Sequence, residues 1–593
     1  MTKHTYEYGL IGNCSYQAHI HKNTNIEWMC WPRFDSSFIF GKMLDSEKGG
    51  EFSIQPSEGI KESRQYYLEN TNILCTEITS AEGTYRVTDF APRFHQYDRY
   101  FKPLMLVRKI EPLQGRPRVK VICHPVADYG NLTPSQYEAS NHIEYLGLEK
   151  EVRLTSNFSL SYIVQNRDIV LNETKYLVLT YGAPLEAPLA STCESFLDMT
   201  KRYWRGWVKN LSVSNFHQAQ INRSALVLKI HQYEDTGAII AAGTTSLPES
   251  PGSGRNWDYR YCWMRDAYYT LTAFNNIGHF EELERYFNYI VNISVKSSER
   301  FQPLYGITGE EQLVEQILDL KGYLGNQPVR IGNQAYTHVQ NDVYGQLLAA
   351  LLPLYVDRRF INLERSDSLN LIHDILKQID QLMDEPDAGL WEFRTLSQYH
   401  CYTYLFHWAG AKAAHKIGKA FDNKEIMLLA EKLIKDSSEK IEACFDATRG
   451  VYTQAIGSKN LDASNLQLIM MGYLENDSEA AKKHLIELEK ELRSKEGLFY
   501  RYKHSDDFGE PETTFLICAF WHVEALTCAG RVDEAIKAFE NLLTYSNHLG
   551  LLSEDVDAKT GSQWGNFPQA YSHVGLVNAA YRISRKLDRP NFF

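Results

Sequence analysis

The feature that most constrains this chain is a change of hydrophobic period part-way along it. Up to about residue 190, apolar and β-branched residues fall in short runs broken by Gly, Pro and Asn, as in YRVTDFAP (85–92), LMLVRKIEPL (104–113), RVKVICHPV (118–126) and KYLVLTYG (175–182). Such runs read as strands, and many short strands with turn signals between them read as a sandwich. From about residue 217 the period is helical. Segments starting at Ala219, His338, Ser368, Thr403, Lys424, Leu461, Ser478, Thr513, Val532 and Tyr571 carry it. Some are amphipathic, such as the Lys424 segment; others are apolar nearly all round, such as the Thr513 segment. That mixture predicts an inner ring of helices inside an outer one. A chain of 593 residues is also too long for one hydrophobic core. The expected organisation is a β-sandwich domain over 1–190, a linker region over 191–216 whose stretch CESFLDMTKRYWRGWVKNL (193–211) has helical spacing, and a helical domain over 217–593.

Several function classes are excluded or disfavoured. The formal net charge of −12 argues against nucleic acid or an anionic membrane surface as partner. The 10 cysteines show no CxxC pair, so they read as buried thiols rather than a disulfide framework or zinc site. The most apolar long run, 513–530, contains His522 and Glu524, which favours a buried helix over a membrane span. The first residues contain no apolar leader, so a cytoplasmic location is expected. No HExxH, phosphate-binding loop or dinucleotide fingerprint is present. Aromatic residues reach 12%, with 37 Tyr and 10 Trp, enough for a large core or for flat platforms that stack on sugars or bases.

Four clusters carry chemical potential. PDAGLWEFR (386–394) places Glu392 beside Trp391. A carboxyl against an indole loses hydration, which raises its pKa and suits it to general acid work. Taken alone, the same stretch reads more simply as a Glu opening a helix. GLLSEDVDAKTGSQWGNFPQAYSH (550–573) supplies Glu554, Asp555 and Asp557, or alternatively a solvated acidic loop before a last helix that Pro568 would start. RNWDYRYCWMRDA (255–267) sets Arg255, Asp258, Arg260, Arg265 and Asp266 among Trp257, Tyr259, Tyr261 and Trp263. Arg donates and Asp accepts, so fixed pairs can hold vicinal hydroxyls while rings face the C–H side of a sugar. An ion-pair network under helix ends is the equal alternative. PVRIGNQA (328–335) offers Arg330 and Asn333 around a Gly turn, and by itself is a plain loop.

Taken together, the chain resembles glycoside hydrolase family 15, the glucoamylase family with its glucodextranase, isomaltose-hydrolase and trehalase relatives. Six motifs stand in the family's order: YGLIGNCSYQAHIHKNTNIEWMCWPRFDSSFIFGKMLD, TGAIIAAGTTSLPESPGSGRNWDYRYCWMRDA, PVRIGNQA, GLWEFR, ETTFLICAFWHVEAL and GNFPQAYSHVGLVNAA. The resemblance implies a multidomain β + α chain, an N-terminal super-β-sandwich followed by a C-terminal (α/α)6 barrel. It implies Glu392 as general acid, Glu554 as general base, and Arg265 with Asp266 gripping a non-reducing glucose unit. Trp263, Trp257, Tyr259, Trp391, Arg330 and Asn333 are expected around that sugar. No metal or organic cofactor is expected, because acid, base and water complete the reaction. The leading expectation is an inverting exo-acting hydrolase that releases β-glucose from malto- or isomalto-type α-glucosides. An α,α-trehalase is the alternative, with an (α/α)6 phosphorylase or a non-catalytic carbohydrate-binding protein behind it. The chain departs from many relatives in two places, with Tyr402-Thr403-Tyr404 where they have Tyr-Ser-Lys, and Asp555 where they have a second Glu.

Overall fold

The computed structural model describes residues 3–296, 300–360 and 365–587; residues 588–593 of the expected helical domain lie outside them. The N-terminal part is built from antiparallel sheets. A four-stranded meander runs through Tyr8–Gly12, Gln17–His21, Ile26–Cys30 and Phe38–Phe40. An eight-stranded sheet follows, in the spatial order 135–138, 142–146, 152–156, 175–181, 105–115, 83–90, 74–79, 62–67. A three-stranded sheet orders 169–170, 118–124 and 51–56. All four runs expected to be strands lie in these sheets. Along Arg118–His124 every second residue is buried, so Val119, Val121 and Cys123 join Val87, Ile110, Leu154 and Leu177 in one core. The two sheets are tied where Tyr85 donates to the Ile54 carbonyl at 2.8 Å. Arg108 ties them again, pairing with Asp89 at 2.8 Å and donating to the Phe52 carbonyl at 2.9 Å, with both charged side chains wholly buried. Such a pair is tolerable inside a core because its remaining hydrogen-bonding capacity is met.

The helices are, in chain order, α1 (Leu160–Val164), α2 (Leu189–Lys209), α3 (Gln218–His231), α4 (Met264–Asn276), α5 (Glu281–Lys296), α6 (Asp342–Val356), α7 (Arg365–Leu382), α8 (Cys401–Ala420), α9 (Lys424–Glu442), α10 (Gln467–Met470), α11 (Glu479–Leu492), α12 (Leu516–Cys528), α13 (Val532–Leu543) and α14 (Ala570–Leu587). Helix α2 covers the second face of the eight-stranded sheet, where Cys193 and Phe196 pack on Phe90, Met105, Val107 and Val178. Beyond it, α4, α6, α8, α10, α12 and α14 touch in that order and close back on α4. The others lie outside this ring: α3 on α14, α5 on α4 and α6, α7 on α6 and α8, α9 on α8, and α13 on α12 and α14. Helix α11 packs on the turn that leads into α10. This is an (α/α)6 barrel, and hydropathy explains who stands where. Every residue of α12 is buried, whereas α9 buries only one stripe. His522 and Glu524 of α12 are satisfied by neighbouring helices, His522 by Glu489 of α11 at 2.7 Å and Glu524 by Arg582 of α14 at 2.6 Å. Among the described residues no helix is long and apolar enough to cross a membrane, and the ten cysteines are buried and unpaired.

Two segments differ from the sequence expectation. Residues 461–474 form a 3-10 turn, Ala463–Leu466, and the single turn of α10 rather than a long helix. Asp462 caps the first and the Asn465 amide is taken by the carbonyls of Tyr452 and Thr453, while Gly472, at φ +70°, ends the second. Local side-chain bonds and a left-handed glycine thus override an apolar helical period. Conversely, α4 and α5 have no counterpart among the expected helices; the former grows directly out of the aromatic and charged stretch at 255–267.

The sandwich also braces the barrel. Trp28 donates its indole N–H to the Gly243 carbonyl at 2.7 Å, Tyr6 its hydroxyl to the Gly565 carbonyl at 2.8 Å, and His19 Nε2 meets the Phe567 carbonyl at 2.9 Å. These carbonyls belong to the segments that precede α4 and α14.

Candidate active site

One mouth of the barrel holds a pocket lined by polar, charged and aromatic side chains. Its walls come from the segments that lead into the inner helices: 255–266 into α4, 333–338 into α6, 390–394 into α8, 501–515 into α12 and 569–571 into α14. Helix N-termini converge there, and their dipoles favour negative charge.

Glu392 stands on a tight turn after Gly389, with Glu392 itself at φ +62° and Gly389 at φ +68°. A left-handed Glu is uncommon and needs support from its surroundings. Asp387 gives it: one carboxylate oxygen accepts from the Gly389 amide at 2.9 Å, and the other from the Asn341 amide at 3.0 Å and the Thr403 hydroxyl at 2.8 Å. The Glu392 carboxylate accepts the Trp263 indole N–H at 2.6 Å and lies 3.5 Å from Arg265 Nη1. The indole that hydrogen-bonds Glu392 is therefore Trp263, not its neighbour Trp391, whose N–H goes to Asp462 at 2.8 Å. Nor does Glu392 open a helix, since α8 begins only at Cys401.

Glu554 is buried behind Tyr259, whose hydroxyl it accepts at 2.7 Å; its other oxygen accepts from the Asn566 amide at 3.2 Å. Tyr259 and Trp263 meet edge to face at 5.4 Å between centroids. The two carboxyls are thus joined through two rings, Glu392 to Trp263 to Tyr259 to Glu554. Burial, with the nearby charge of Glu249, pushes Glu554 up to about 8. Asp555 is likewise held well above the usual carboxylate range by burial and by Glu554. Gly565 allows this packing: at φ +75°, a Cβ on it would stand 2.5 Å from the Glu554 Cβ.

Arg265 and Asp266, at the start of α4, line the pocket together. They lie 3.2 Å apart, and Arg265 is fixed by the Leu390 carbonyl at 2.8 Å. Burial, opposed by Arg265 and reinforced by the charge of Glu392, brings Asp266 to about 6. Arg265 Nε is buried without a hydrogen-bond partner, and the Asp266 oxygen beside Arg265 Nη2 has no partner but that guanidinium, a donor and an acceptor side by side as a pair of sugar hydroxyls requires. The stretch 255–267 thus divides. Asp258 and Arg260 form a wholly buried ion pair at 2.7 Å behind the wall, whereas Arg255, paired with Asp506 at 2.5 Å, and Arg265 with Asp266 line the cavity.

Trp257, Tyr259, Trp263, Trp391 and Asn333 line the pocket as well. The Asn333 amide is committed to the backbone, bonding the Ala335 amide at 3.0 Å and the Asp258 carbonyl at 3.2 Å. Arg330 stands outside the wall; its guanidinium lies 4.6 Å from the Trp257 ring and holds the carbonyls of Gly254 and Asn256, both at 2.9 Å. It shapes the wall from behind, its Nη1 spent on those two carbonyls and its Nε facing Glu315 at 3.2 Å. Tyr402, Thr403 and Tyr404 sit in the first turn of α8, below the pocket, where Tyr402 meets Tyr269 at 3.1 Å.

Other wall residues escape a reading of the sequence. Glu249 follows the stretch TTSLP and is buried, bound by Arg501 and by the Trp257 indole N–H at 3.0 Å. Loop 503–511 closes one side with Asp506, Asp507 and Phe508. Asp507 accepts from the Arg394 amide at 2.6 Å and from the Thr395 hydroxyl, which straps this loop to the one carrying Glu392. Their only sequence signal is a turn-rich acidic run, KHSDDFGEPE. Among the described residues no group of His, Cys, Asp and Glu is arranged to hold a metal ion.

A family model, Glycosyl hydrolases family 15, matches residues 215–581, and another, Trehalase-like, N-terminal, matches 5–169. The chain is 32% identical to a trehalase of Thermoplasma volcanium over 98% of its own length and 93% of that protein, and 30% identical to a trehalase of Mycobacterium tuberculosis over 98% and 89%. Trehalase 2 of Sulfolobus acidocaldarius is 28% identical over 96% and 98%. The fold matches a bacterial glucoamylase complexed with acarbose at a TM-score of 0.69, covering 98% of this chain and 95% of that one at 14% identity, a likeness of fold alone. The barrel, the sandwich that braces it and the match over 215–581 lead to one conclusion: the chain is a glycoside hydrolase and belongs to glycosyl hydrolases family 15.

Proposed function

We propose that this protein is an α,α-trehalase that works by inversion. The observation that carries the substrate is the likeness, at 30–32% identity over 98% of the chain, to proteins named trehalase, extending through both the barrel and the sandwich. The malto- or isomalto-type substrate, placed first from the sequence, gives way to trehalose. The pocket's construction supports this: strapped on one side by loop 503–511 and walled by charged groups, it suits a small polyhydroxylated disaccharide better than a long glucan.

In this reading Arg265 and Asp266 hold the first glucose, the donor–acceptor pair binding its hydroxyls. Glu392 gives its proton to the bridging oxygen, aided by Trp263 and Arg265, which hold it in place and stabilise its carboxylate once the proton has gone. Glu554, steered by Tyr259, takes a proton from the water that attacks C1 on the opposite face. No further group is required. The test is glucose release from trehalose, maltose, isomaltose, panose, dextran and starch under identical conditions. Trehalose is expected to give the highest kcat/KM; a higher value on any of the glucans would overturn the substrate.

A further inference from the structure

Glu249 belongs to none of the roles above, although it is a buried carboxylate in the pocket wall. Its backbone is clamped between the two segments that build the base site. The Thr513 hydroxyl donates to its carbonyl at 3.0 Å, next to the strand Thr514–Phe515 that pairs with Asp555–Val556. The preceding residue, Pro248, accepts from the Gly565 amide at 2.7 Å, and Gly565 is the glycine against which Glu554 lies. The side chain is held as firmly, by the Trp257 indole at one oxygen and Arg501 at the other. It has no freedom to turn away from Glu554.

We infer that Glu249 and Arg501 form an opposed-charge couple that sets the basicity of Glu554, Glu249 acting as a positioning residue rather than a catalytic one. The inference rests on the reading of Glu554 as general base. The charged and titratable groups facing Glu554 are Glu249, Asp555, Arg501 and the Tyr259 hydroxyl, with Tyr6 reaching in from the sandwich. Three carboxyls against one guanidinium leave an excess of negative charge if all ionise. Glu249 takes up Arg501 directly, which leaves Glu554 and Asp555 to oppose each other's ionisation. A base that is hard to ionise is strong once ionised, and the couple strikes that balance.

The experiment is the pH profile of kcat/KM on trehalose and on p-nitrophenyl α-glucoside for the wild type, Glu249→Gln, Glu249→Asp, Arg501→Gln and Glu554→Gln. Glu249→Gln removes a like charge and releases Arg501, so the acid limb is expected to move to lower pH by about 1 unit. Arg501→Gln is expected to move it to higher pH, and Glu249→Asp to leave it close to the wild type. Plateau kcat should fall less in Glu249→Gln than in Glu554→Gln. An unmoved limb, or the same direction of movement in both neutral variants, would overturn the couple. Loss in Glu249→Gln at every pH as deep as in Glu554→Gln would make Glu249 itself the base. If Glu249→Gln does not fold, the direction of the Arg501→Gln shift decides. If trehalose is no substrate but the aryl glucoside is, the substrate proposal fails while the limb shifts remain readable.

Discussion

At the scale of single residues, the pocket makes the roles of its carboxyls separable. Glu392→Gln keeps the hydrogen bond from Trp263 and removes the transferable proton. Loss of general acid catalysis costs roughly 10²–10⁴-fold, and the loss on trehalose is expected to exceed that on an α-glucosyl fluoride, whose leaving group needs little protonation. Equal losses on both would remove Glu392 from that role. Glu554 bears on stereochemistry. An inverting attack at one anomeric carbon of trehalose gives one β- and one α-glucose, so early proton NMR should show the two anomers in equal amounts; α-glucose alone at the first time points would mean retention. The pH dependence follows from the same residue. A base works ionised, and burial with Glu249 has raised Glu554 to about 8, so activity is expected above that value and falls as pH drops through it. An acid limb near the ordinary Glu value of about 4.3 would contradict this.

At the scale of elements, two close approaches decide whether the site exists. The inner helices α6 and α8 cross where Gly345 meets Gly410, and a Cβ on Gly345 would stand 2.0 Å from the Phe406 carbonyl oxygen. The contact is backbone on backbone and cannot be relieved by turning a side chain. Gly345→Ala should therefore cost about 1–3 kcal/mol as overpacking, seen as a lower midpoint of thermal or urea unfolding, and an unchanged midpoint would show that the two helices part easily. Gly565→Ala acts differently, since its left-handed backbone and the nearby Glu554 side chain both oppose a methyl group. It is expected to lower kcat by displacing Glu554.

At the scale of the whole molecule, the sandwich supports the chemistry without contributing to the pocket walls. Trp28, Tyr6 and His19 hold the carbonyls of Gly243, Gly565 and Phe567. A charged network, Arg93 with Glu234 and Lys229 with Glu282 at 3.0 Å, is buried where the two parts meet. Cutting the chain to 191–593 would expose these groups and take Arg93 away from Glu234, which is costly. That fragment is expected to aggregate or to bind sugar weakly, whereas a folded fragment with wild-type turnover would make the sandwich dispensable.

Much of this was legible in the residues themselves. Strand and helix follow from the spacing of apolar side chains, because a strand alternates and a helix repeats every 3.6 residues; that is why 104–113 and 424–445 could be assigned unaided. Six motifs in order were enough to indicate the family. Spacing failed where local bonds outweighed it, at 461–474, and where aromatic and charged residues masked the start of a helix, at Met264. Only the tertiary structure could divide 255–267 into a buried ion pair and a pocket-facing pair, since Asp258–Arg260 and Arg265–Asp266 look alike as text. Only it could hand the hydrogen bond of Glu392 to Trp263 instead of the adjacent Trp391, place Arg330 behind the wall, and bring Glu249 beside Glu554 across some three hundred residues of chain. The physical reason is the same in each case. Patterning is a property of neighbours along the chain, whereas burial, charge coupling and hydrogen-bond partners belong to neighbours in space, and the barrel chooses those when its ring closes.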